Sequence, residues 1–258
     1  MANDEMTNQC STKTNPVKRY SKLSIIKAWG VHAFTLSGLF FACLAVLAMG
    51  DGEFKWMWLW LGIAMIVDAV DGTMARKACV QEVVPWFDGG IVDIAVDYLT
   101  WTFIPAVFMY LALPLGPKPV AMVMMITVVV SSMFCYANKN WKSTDYYFVG
   151  FPAAWNIVAA ILWVLKFNAV VNVSVVIVLA ILTLVPTYYT HPFRVKKYMA
   201  INIAAVIAWI ISMGTMIAIF PNTSLPAAIV FWVTGIWFMA TGVIRTIANR
   251  PDKESAAN

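Results

Sequence analysis

Four aspartates at helical spacing are the residues of this chain best suited to carry out chemistry. Asp68 and Asp71 are three positions apart, and Asp93 and Asp97 are four apart. Residues three or four apart share one face of an α-helix, so each pair predicts a helix that presents two carboxylates on one side. Each pair borders a long apolar stretch, where an uncompensated carboxylate costs about 3 kcal/mol on membrane-insertion scales. Bound cations would offset that cost.

The ligand set favours hard divalent cations. Carboxylate oxygens suit Mg²⁺ or Mn²⁺, and the aspartate cluster predicts no contribution from histidine or cysteine. Four carboxylates suggest two ions that share bridging ligands, an arrangement that clamps a phosphoryl group between attacking and leaving oxygens. The small residues Gly72, Ala75 and Gly89 would let a nucleotide or phosphate approach the backbone closely. The alternatives are a cation or proton pathway for the aspartates, as in a transporter, and helix packing for the small residues.

The elements that must position these aspartates are predicted to be membrane helices. The chain is 61% hydrophobic and 12% charged, whereas a soluble domain carries about 25% charged residues. Continuously apolar runs such as 121–130 and 175–185 disfavour a barrel of alternating strands. We therefore expect an all-α, polytopic membrane helix bundle of about eight transmembrane helices. The apolar stretches long enough to span are residues 31–49, 54–76, 91–113, 118–136, 148–167, 168–189, 199–220 and 224–246.

The two ends of the chain are polar. Residues 1–19 lack apolar periodicity and are predicted to form a disordered cytoplasmic tail, and residues 251–258 a second tail. Leu23 and Ile26 recur at helical spacing between lysines, which predicts a short surface helix ahead of the first span. The alternative is a simple extension of that span. Residues 20–250 are expected to form one membrane domain.

The distribution of positive charge predicts the orientation. With both termini in the cytoplasm, only Lys55, Lys118 and Lys166 of the 18 basic residues fall on the other side. The aspartates then lie at the cytoplasmic face. Anionic lipid headgroups account for the net charge of +5, and no dedicated basic patch suggests a nucleic-acid partner.

The aspartate segments resemble a known signature. The run Asp68 to Arg76 followed by Gly89 to Asp97 is similar to the pattern D-x-x-D-G-x-x-A-R, a spacer, then G-x-x-x-D-x-x-x-D of the CDP-alcohol phosphotransferase family. All eight fixed positions agree. The spacer, residues 77–88, is 12 residues long where eight is commoner in the family.

The resemblance implies a role for each motif residue. It assigns Asp68, Asp71 and Asp93 as ligands of two Mn²⁺ or Mg²⁺ ions, and Asp97 as both a ligand and the general base. The remaining residues implied to bind the CDP moiety or phosphates are Gly72, Ala75, Arg76 and Gly89. An arginine fork suits phosphate oxygens, and we expect Arg194 to contact the lipid phosphate as well.

Further segments resemble the bacterial members of the family that use choline. These segments are residues 82–86, 97–100, 151–156 and 191–195. The resemblance implies transfer of the phosphatidyl group from CDP-diacylglycerol to choline with release of CMP, in the bacterial inner membrane and among its lipids. It also implies a homodimer. Serine, glycerol phosphate or inositol phosphate remain alternative acceptors.

Choline predicts an aromatic binding site, because a quaternary ammonium group donates no ordinary hydrogen bond and is held by aromatic faces. Trp86 and Tyr98 flank the motif and are the first candidates. Tyr188 and Tyr189 come next. Most aromatic residues near the cytoplasmic face are expected to be interfacial belt residues instead.

Overall fold

Helices make up nearly all the regular structure of the described chain. The computed structural model describes residues 20–138, 146–196 and 198–248, so the two predicted tails lie outside the described residues. The fold is all-α and polytopic, with one short pair of strands. In chain order the elements are α1 (Lys22–Gly50), α2 (Phe54–Lys77), α3 (Val80–Val83), α4 (Gly89–Asp97), a π-helix (Tyr98–Phe103), α5 (Ile104–Ala112), α6 (Lys118–Ala137), β1 (Phe148–Val149), α7 (Trp155–Val164), α8 (Ala169–Leu182), β2 (Tyr188–Tyr189), α9 (Met199–Ile219) and α10 (Leu225–Ala248).

Six helical segments of the described chain are long and apolar enough to cross a membrane. They contain 20 to 29 residues. At 1.5 Å per residue, even the shortest reaches about 30 Å, the thickness of a hydrocarbon core. These segments are α1, α2, the continuous stretch Gly89–Ala112, α6, α9 and α10.

The fifth and sixth predicted spans form shorter helices than expected. α7 has 10 residues and α8 has 14, which correspond to about 15 and 21 Å. The chain before α7 is non-helical through Pro152 and Ala153, and Ala153 has a left-handed backbone with φ of 55°. Pro186 follows α8 and disfavours helix at the residues before it. The described chain therefore has six full-length candidate spans and two shorter apolar helices where the sequence predicts about eight transmembrane helices.

The separate surface helix predicted before the first span does not form. α1 runs without a break from Lys22 to Gly50, as the alternative interpretation had it. Ser21 begins it, because its side-chain oxygen accepts the backbone N–H of Ser24 at 3.1 Å and so satisfies one of the free donors of the first turn.

The described chain divides after Thr100 into two compact units. In the first, α1 packs along α2 and also contacts α3 and α4. Gly38 permits close contact with α4, because a Cβ there would lie 2.6 Å from Val96 Cγ1. Gly89, earlier on α4, packs beside His32, earlier on α1. These two contacts place α1 and α4 parallel, with their N-terminal ends on the same side.

The second unit contains α5 to α10, and buried polar side chains link its helices. Ser212 Oγ donates to the Ala227 carbonyl at 2.6 Å, and Trp237 Nε1 donates to Asn202 Oδ1 at 2.9 Å. A polar group in the bilayer needs an internal partner. These hydrogen bonds therefore tie α9 to α10 without exposing polar atoms to lipid.

The short helices α7 and α8 run between the two ends of α10 in the second unit. Lys166, in the turn between them, donates to the Pro221 carbonyl at 3.1 Å, in the loop between α9 and α10. Asn172 Nδ2 donates at 3.0 Å to the carbonyl of Pro114, which precedes α6. At the other end, the Tyr188 N–H of β2 donates to Thr246 Oγ1 near the end of α10, at 2.9 Å. The turn between α7 and α8 therefore lies near the start of α10, and β2 lies near its end.

Candidate functional site

Three aspartates from two helices form a cluster in the first unit. Asp68 and Asp71 come from α2 and Asp93 from α4. Each contributes a carboxylate oxygen, and the three oxygens lie within 4.8 Å of one another. Asp71 is only 5% exposed. Three carboxylates at this separation repel one another strongly unless cations or protons lie between them.

Asp97 adds a fourth carboxyl group, at the end of α4. It is hydrogen-bonded to Asp68 and is close enough to Asp93 and Asp71 to interact electrostatically with both. Its Oδ1 atom is buried and has no hydrogen-bond partner among the described residues. The spacing of the two aspartate pairs therefore produces the convergence that the sequence predicted.

α1 forms a further wall of the cluster. The Thr35 hydroxyl, which donates to the Val31 carbonyl at 3.4 Å, and the Gly72 backbone N–H both lie near the Asp71 carboxylate. Sequence reasoning missed Thr35, because it belongs to no motif. The available signal was a polar residue within an apolar span, which in membrane proteins is often functional.

The small residues of the motif have different surroundings. A Cβ on Gly72 would meet Arg76 Nη1 at 3.5 Å, an ordinary contact distance. Arg76 Nη2 donates to Thr73 Oγ1 at 3.0 Å, and the arginine is exposed. Ala75 packs with Trp29 and Phe87 around an apolar cluster. Gly89 differs, because the His32 imidazole occupies the space beside it, with Cε1 2.8 Å from a would-be Cβ.

The spacer between Arg76 and Gly89 folds onto the start of α1. Val80 and Val84 pack against Ala28 and Val31. The Tyr20 hydroxyl, just before α1, donates to Glu82 Oε2 at 3.0 Å. The twelve-residue length thus accommodates α3.

Asp88 ends the spacer as the N-cap of α4. Its Oδ1 accepts the backbone N–H groups of Gly90 at 3.0 Å and Ile91 at 3.3 Å. This cap fixes where α4 begins and therefore the register of Asp93 and Asp97.

The four choline candidates lie in both units. In the first, Trp86 is 74% exposed and its ring centroid lies 5.3 Å from that of Trp29. Tyr98 is half-buried and directly follows Asp97. In the second, Tyr188 lies under the Arg245 guanidinium, 4.3 Å from the ring centroid, so an internal cation already occupies one face.

Tyr189 and Arg194 complete the predicted set, in the second unit. The Tyr189 ring contacts Phe151 edge-on, with centroids 6.1 Å apart. Arg194 is exposed. Trp86 and Tyr98 are therefore the candidates that share a unit with the aspartates.

The first unit can hold divalent cations. Its donor set consists of carboxylate oxygens, which suit Mg²⁺ or Mn²⁺. Asp68, Asp71 and Asp93 are close enough to share an ion, and the buried, unpartnered Oδ1 of Asp97 is a further oxygen available for a ligand or a proton. The residues present thus fit a hard divalent metal.

Comparison with known proteins gives one consistent result. No protein-family model matches the chain. The phosphatidylcholine synthase of Pseudomonas aeruginosa is 48% identical over 215 residues, covering 83% of this chain and 87% of that protein. The phosphatidylcholine synthase of Agrobacterium fabrum is 37% identical over 219 residues, covering 85% and 90%. That of Brucella melitensis is 32% identical over 256 residues, covering 98% and 92%.

These relatives match nearly the whole membrane region, including both aspartate helices. They are bacterial enzymes of phospholipid synthesis, and the six apolar helices agree with a bacterial membrane protein. The chain belongs to the phosphatidylcholine synthase family.

Proposed function

We propose that this enzyme transfers the phosphatidyl group of CDP-diacylglycerol to choline, releases CMP, and depends on divalent metal ions. The observation that carries the proposal is the convergence of Asp68, Asp71, Asp93 and Asp97 in one compact unit. The identity to phosphatidylcholine synthases over most of the chain supports choline as the acceptor.

The reaction is proposed to be a single in-line displacement. The choline hydroxyl attacks the lipid-side phosphorus, a new oxygen–phosphorus bond forms, and the bond from that phosphorus to the CMP oxygen breaks. Asp97 takes the hydroxyl proton, and its buried, unpartnered Oδ1 supports that role. CMP leaves with the electrons of the broken bond as a phosphate monoester.

Asp68, Asp71, Asp93 and Asp97 are proposed to hold two Mn²⁺ or Mg²⁺ ions. Such ions, when bound, neutralise the phosphate oxygens and the charge that develops on the leaving group. Thr35 and the Gly72 N–H orient the Asp71 carboxylate. Most of the protein's contribution is therefore positioning of the two substrates.

Other residues are assigned to the substrates. Gly72, Ala75 and Gly89 are proposed to border the nucleotide, and Arg76 and Arg194 to contact phosphate oxygens. Trp86 and Tyr98 are the preferred aromatic contacts of choline, because both lie in the aspartate unit. Tyr188 and Tyr189 are second choices, since Arg245 and Phe151 already contact their rings.

We also propose that the chain crosses the bacterial inner membrane eight times, with both termini and the aspartates cytoplasmic. The contact of Lys166 with Pro221 supports two crossings by α7 and α8, because it places their turn beside the loop between α9 and α10. The positive-inside bias supports the orientation. A homodimer follows only from the family resemblance.

A panel of acceptors tests the substrate assignment. Purified protein with Mn²⁺ and CDP-diacylglycerol is offered choline, serine, glycerol phosphate or inositol phosphate, and CMP release is followed. We expect CMP release that depends on choline. CMP release with only one of the other alcohols would support phosphatidyl transfer but exclude choline as the acceptor. Metal-dependent cation flux in sealed vesicles, without CMP release under any acceptor, would instead support the transporter alternative.

A further inference from the structure

His32 is a buried histidine that the proposed chemistry does not yet use. It lies on α1, within an apolar span, and is 3% exposed. Its Nε2 atom is buried and has no hydrogen-bond partner among the described residues. A buried polar atom is normally satisfied, so an unpartnered one indicates strain, a missing ligand or a functional role.

Three neighbours fix the His32 ring. Phe87 contacts it edge-on with centroids 4.6 Å apart, and Trp29 does so at 5.6 Å. The Cε1–Nδ1 edge of the imidazole lies beside Gly89, since the nearest atoms to a would-be Cβ are Cε1 at 2.8 Å and Nδ1 at 3.1 Å. Any side chain at Gly89 would displace the ring. The motif glycine therefore has a specific use in this chain, which is to accommodate this histidine.

The imidazole lies one helical turn from the aspartate cluster. His32 precedes Thr35, which lies near Asp71, by one turn of α1, and Gly89 precedes Asp93 by one turn of α4. One turn is about 5.4 Å along the helix axis. Because α1 and α4 are parallel, both offsets are in the same direction, toward the N-terminal ends of the two helices. That is the cytoplasmic end in the proposed orientation.

The position of His32 indicates which half of CDP-diacylglycerol lies near it. With the diphosphate at the aspartates, the diacylglycerol chains must remain toward the apolar interior of the membrane. The nucleoside then extends in the opposite direction, which is the side where His32 lies. Cytidine offers ribose hydroxyls and base edges that can pair with a single imidazole nitrogen. The trimethylammonium group of choline forms no such hydrogen bond, and its hydroxyl must be at Asp97.

We propose that His32 binds the nucleoside half of CDP-diacylglycerol, and the product CMP, through Nε2. The inference rests on the proposed function. Clamping of the ring by Trp29, Phe87 and Gly89 presents the nitrogen in one orientation, so little ordering is needed when the nucleotide binds.

The test measures CMP affinity in the full-length protein, purified in detergent with Mn²⁺. The variants are His32→Phe, which keeps the aromatic contacts, and His32→Gln, which restores a polar group near Nε2. We expect His32→Phe to weaken CMP binding about tenfold, the loss of roughly one hydrogen bond, and His32→Gln to recover part of it. The KM for CDP-diacylglycerol should rise in parallel, while the KM for choline stays unchanged.

Inorganic phosphate is the control probe, because it reaches the metal site and lacks the nucleoside. It should bind the parent and His32→Phe equally. An equal loss of phosphate and CMP binding would indicate a collapsed metal site and overturn the assignment to the nucleoside. CMP binding by His32→Phe within about twofold of the parent would also overturn it.

The experiments distinguish a failure of the proposed function from a failure of the His32 assignment. Parent protein that binds CMP in a His32-dependent manner but makes no phosphatidylcholine would reject the acceptor and support the His32 assignment. Parent protein that makes phosphatidylcholine, with CMP affinity independent of His32, would reject this inference alone. Parent protein that binds no CMP would reject both.

Discussion

Buried polar residues illustrate how single side chains are stabilised in this membrane protein. Asp71 is 5% exposed and lies near the Thr35 hydroxyl and the Gly72 backbone N–H. Outside the spans, His191 is stacked on Phe148 with centroids 5.0 Å apart and an interplanar angle of 12°. Burial first, and then the charge of Arg194, lowers the pKa of His191 to about 4. His191 is therefore neutral at physiological pH.

The lowered pKa of His191 predicts a loss of stability on acidification. In the unfolded chain the pKa of histidine is about 6.5, so the unfolded state binds more protons as the pH falls from there toward about 4. The contribution of neutral His191 is fully present above that window and is lost within it. Thermal unfolding of the detergent-purified protein, measured between about pH 7 and pH 5, should show a falling Tm.

His191→Phe is the matched variant, because it keeps an aromatic ring beside Phe148 and cannot be protonated. Its Tm should fall less than that of the parent over the same pH range. Parallel Tm profiles for the two proteins would contradict the assignment of the proton to His191.

Contacts between helices decide whether the aspartates meet. Gly38 on α1 faces Val96, which lies on α4 between Asp93 and Asp97. A Cβ at Gly38 would be 2.6 Å from Val96 Cγ1, and a β-branched side chain has little freedom to move away. Gly38→Ala should therefore destabilise the protein by about 1–3 kcal/mol and lower kcat, since α4 must shift. Thermal unfolding and the rate of CMP release measure both effects.

Gly30→Ala is the control for that substitution. Gly30 lies in the same helix with no atom within 4 Å of a would-be Cβ, so alanine there should be neutral or slightly stabilising. Val96→Ala added to Gly38→Ala should restore part of the lost stability. An unaltered Tm and kcat in Gly38→Ala would show that α1 and α4 are not in close contact.

The sequence was informative where the signal is local and periodic. The pairing of Asp68 with Asp71 and of Asp93 with Asp97 follows from helical spacing alone, and five of the predicted spans differ from the observed spans by only a few residues at each end. The involvement of Thr35 and His32 was not predictable in this way. Their roles arise from contacts between α1 and the motif helices, which are distant in sequence.

The shorter helices show a second limit of hydropathy. Residues 148–167 and 168–189 are apolar enough to predict full spans. Average hydropathy over such a stretch does not reveal the extended backbone around Pro152 or the strand pair. The pairing of Phe148 with Tyr189 joins segments about forty residues apart in the chain. Such long-range pairing cannot be read from composition.

At the scale of the whole molecule, the topology makes a prediction about accessibility. Lys166→Cys should react with a membrane-impermeant maleimide in intact cells whose outer membrane has been permeabilised. Gln81→Cys, in the exposed part of the spacer, should react only after the inner membrane is opened. The parent protein provides the background from its own cysteines. Labelling in the reverse order would contradict the proposed orientation.

Conversion of choline tests the central claim most directly. The purified protein is incubated with Mn²⁺, CDP-diacylglycerol and labelled choline, with Asp97→Asn and a chelator-treated sample alongside. We predict labelled phosphatidylcholine and an equal amount of CMP from the parent. Asp97→Asn should lower the rate about 10²- to 10⁴-fold, and the chelator should abolish it until metal is restored. Labelled product formed at an unchanged rate by Asp97→Asn or in the chelated sample would contradict the metal–aspartate mechanism.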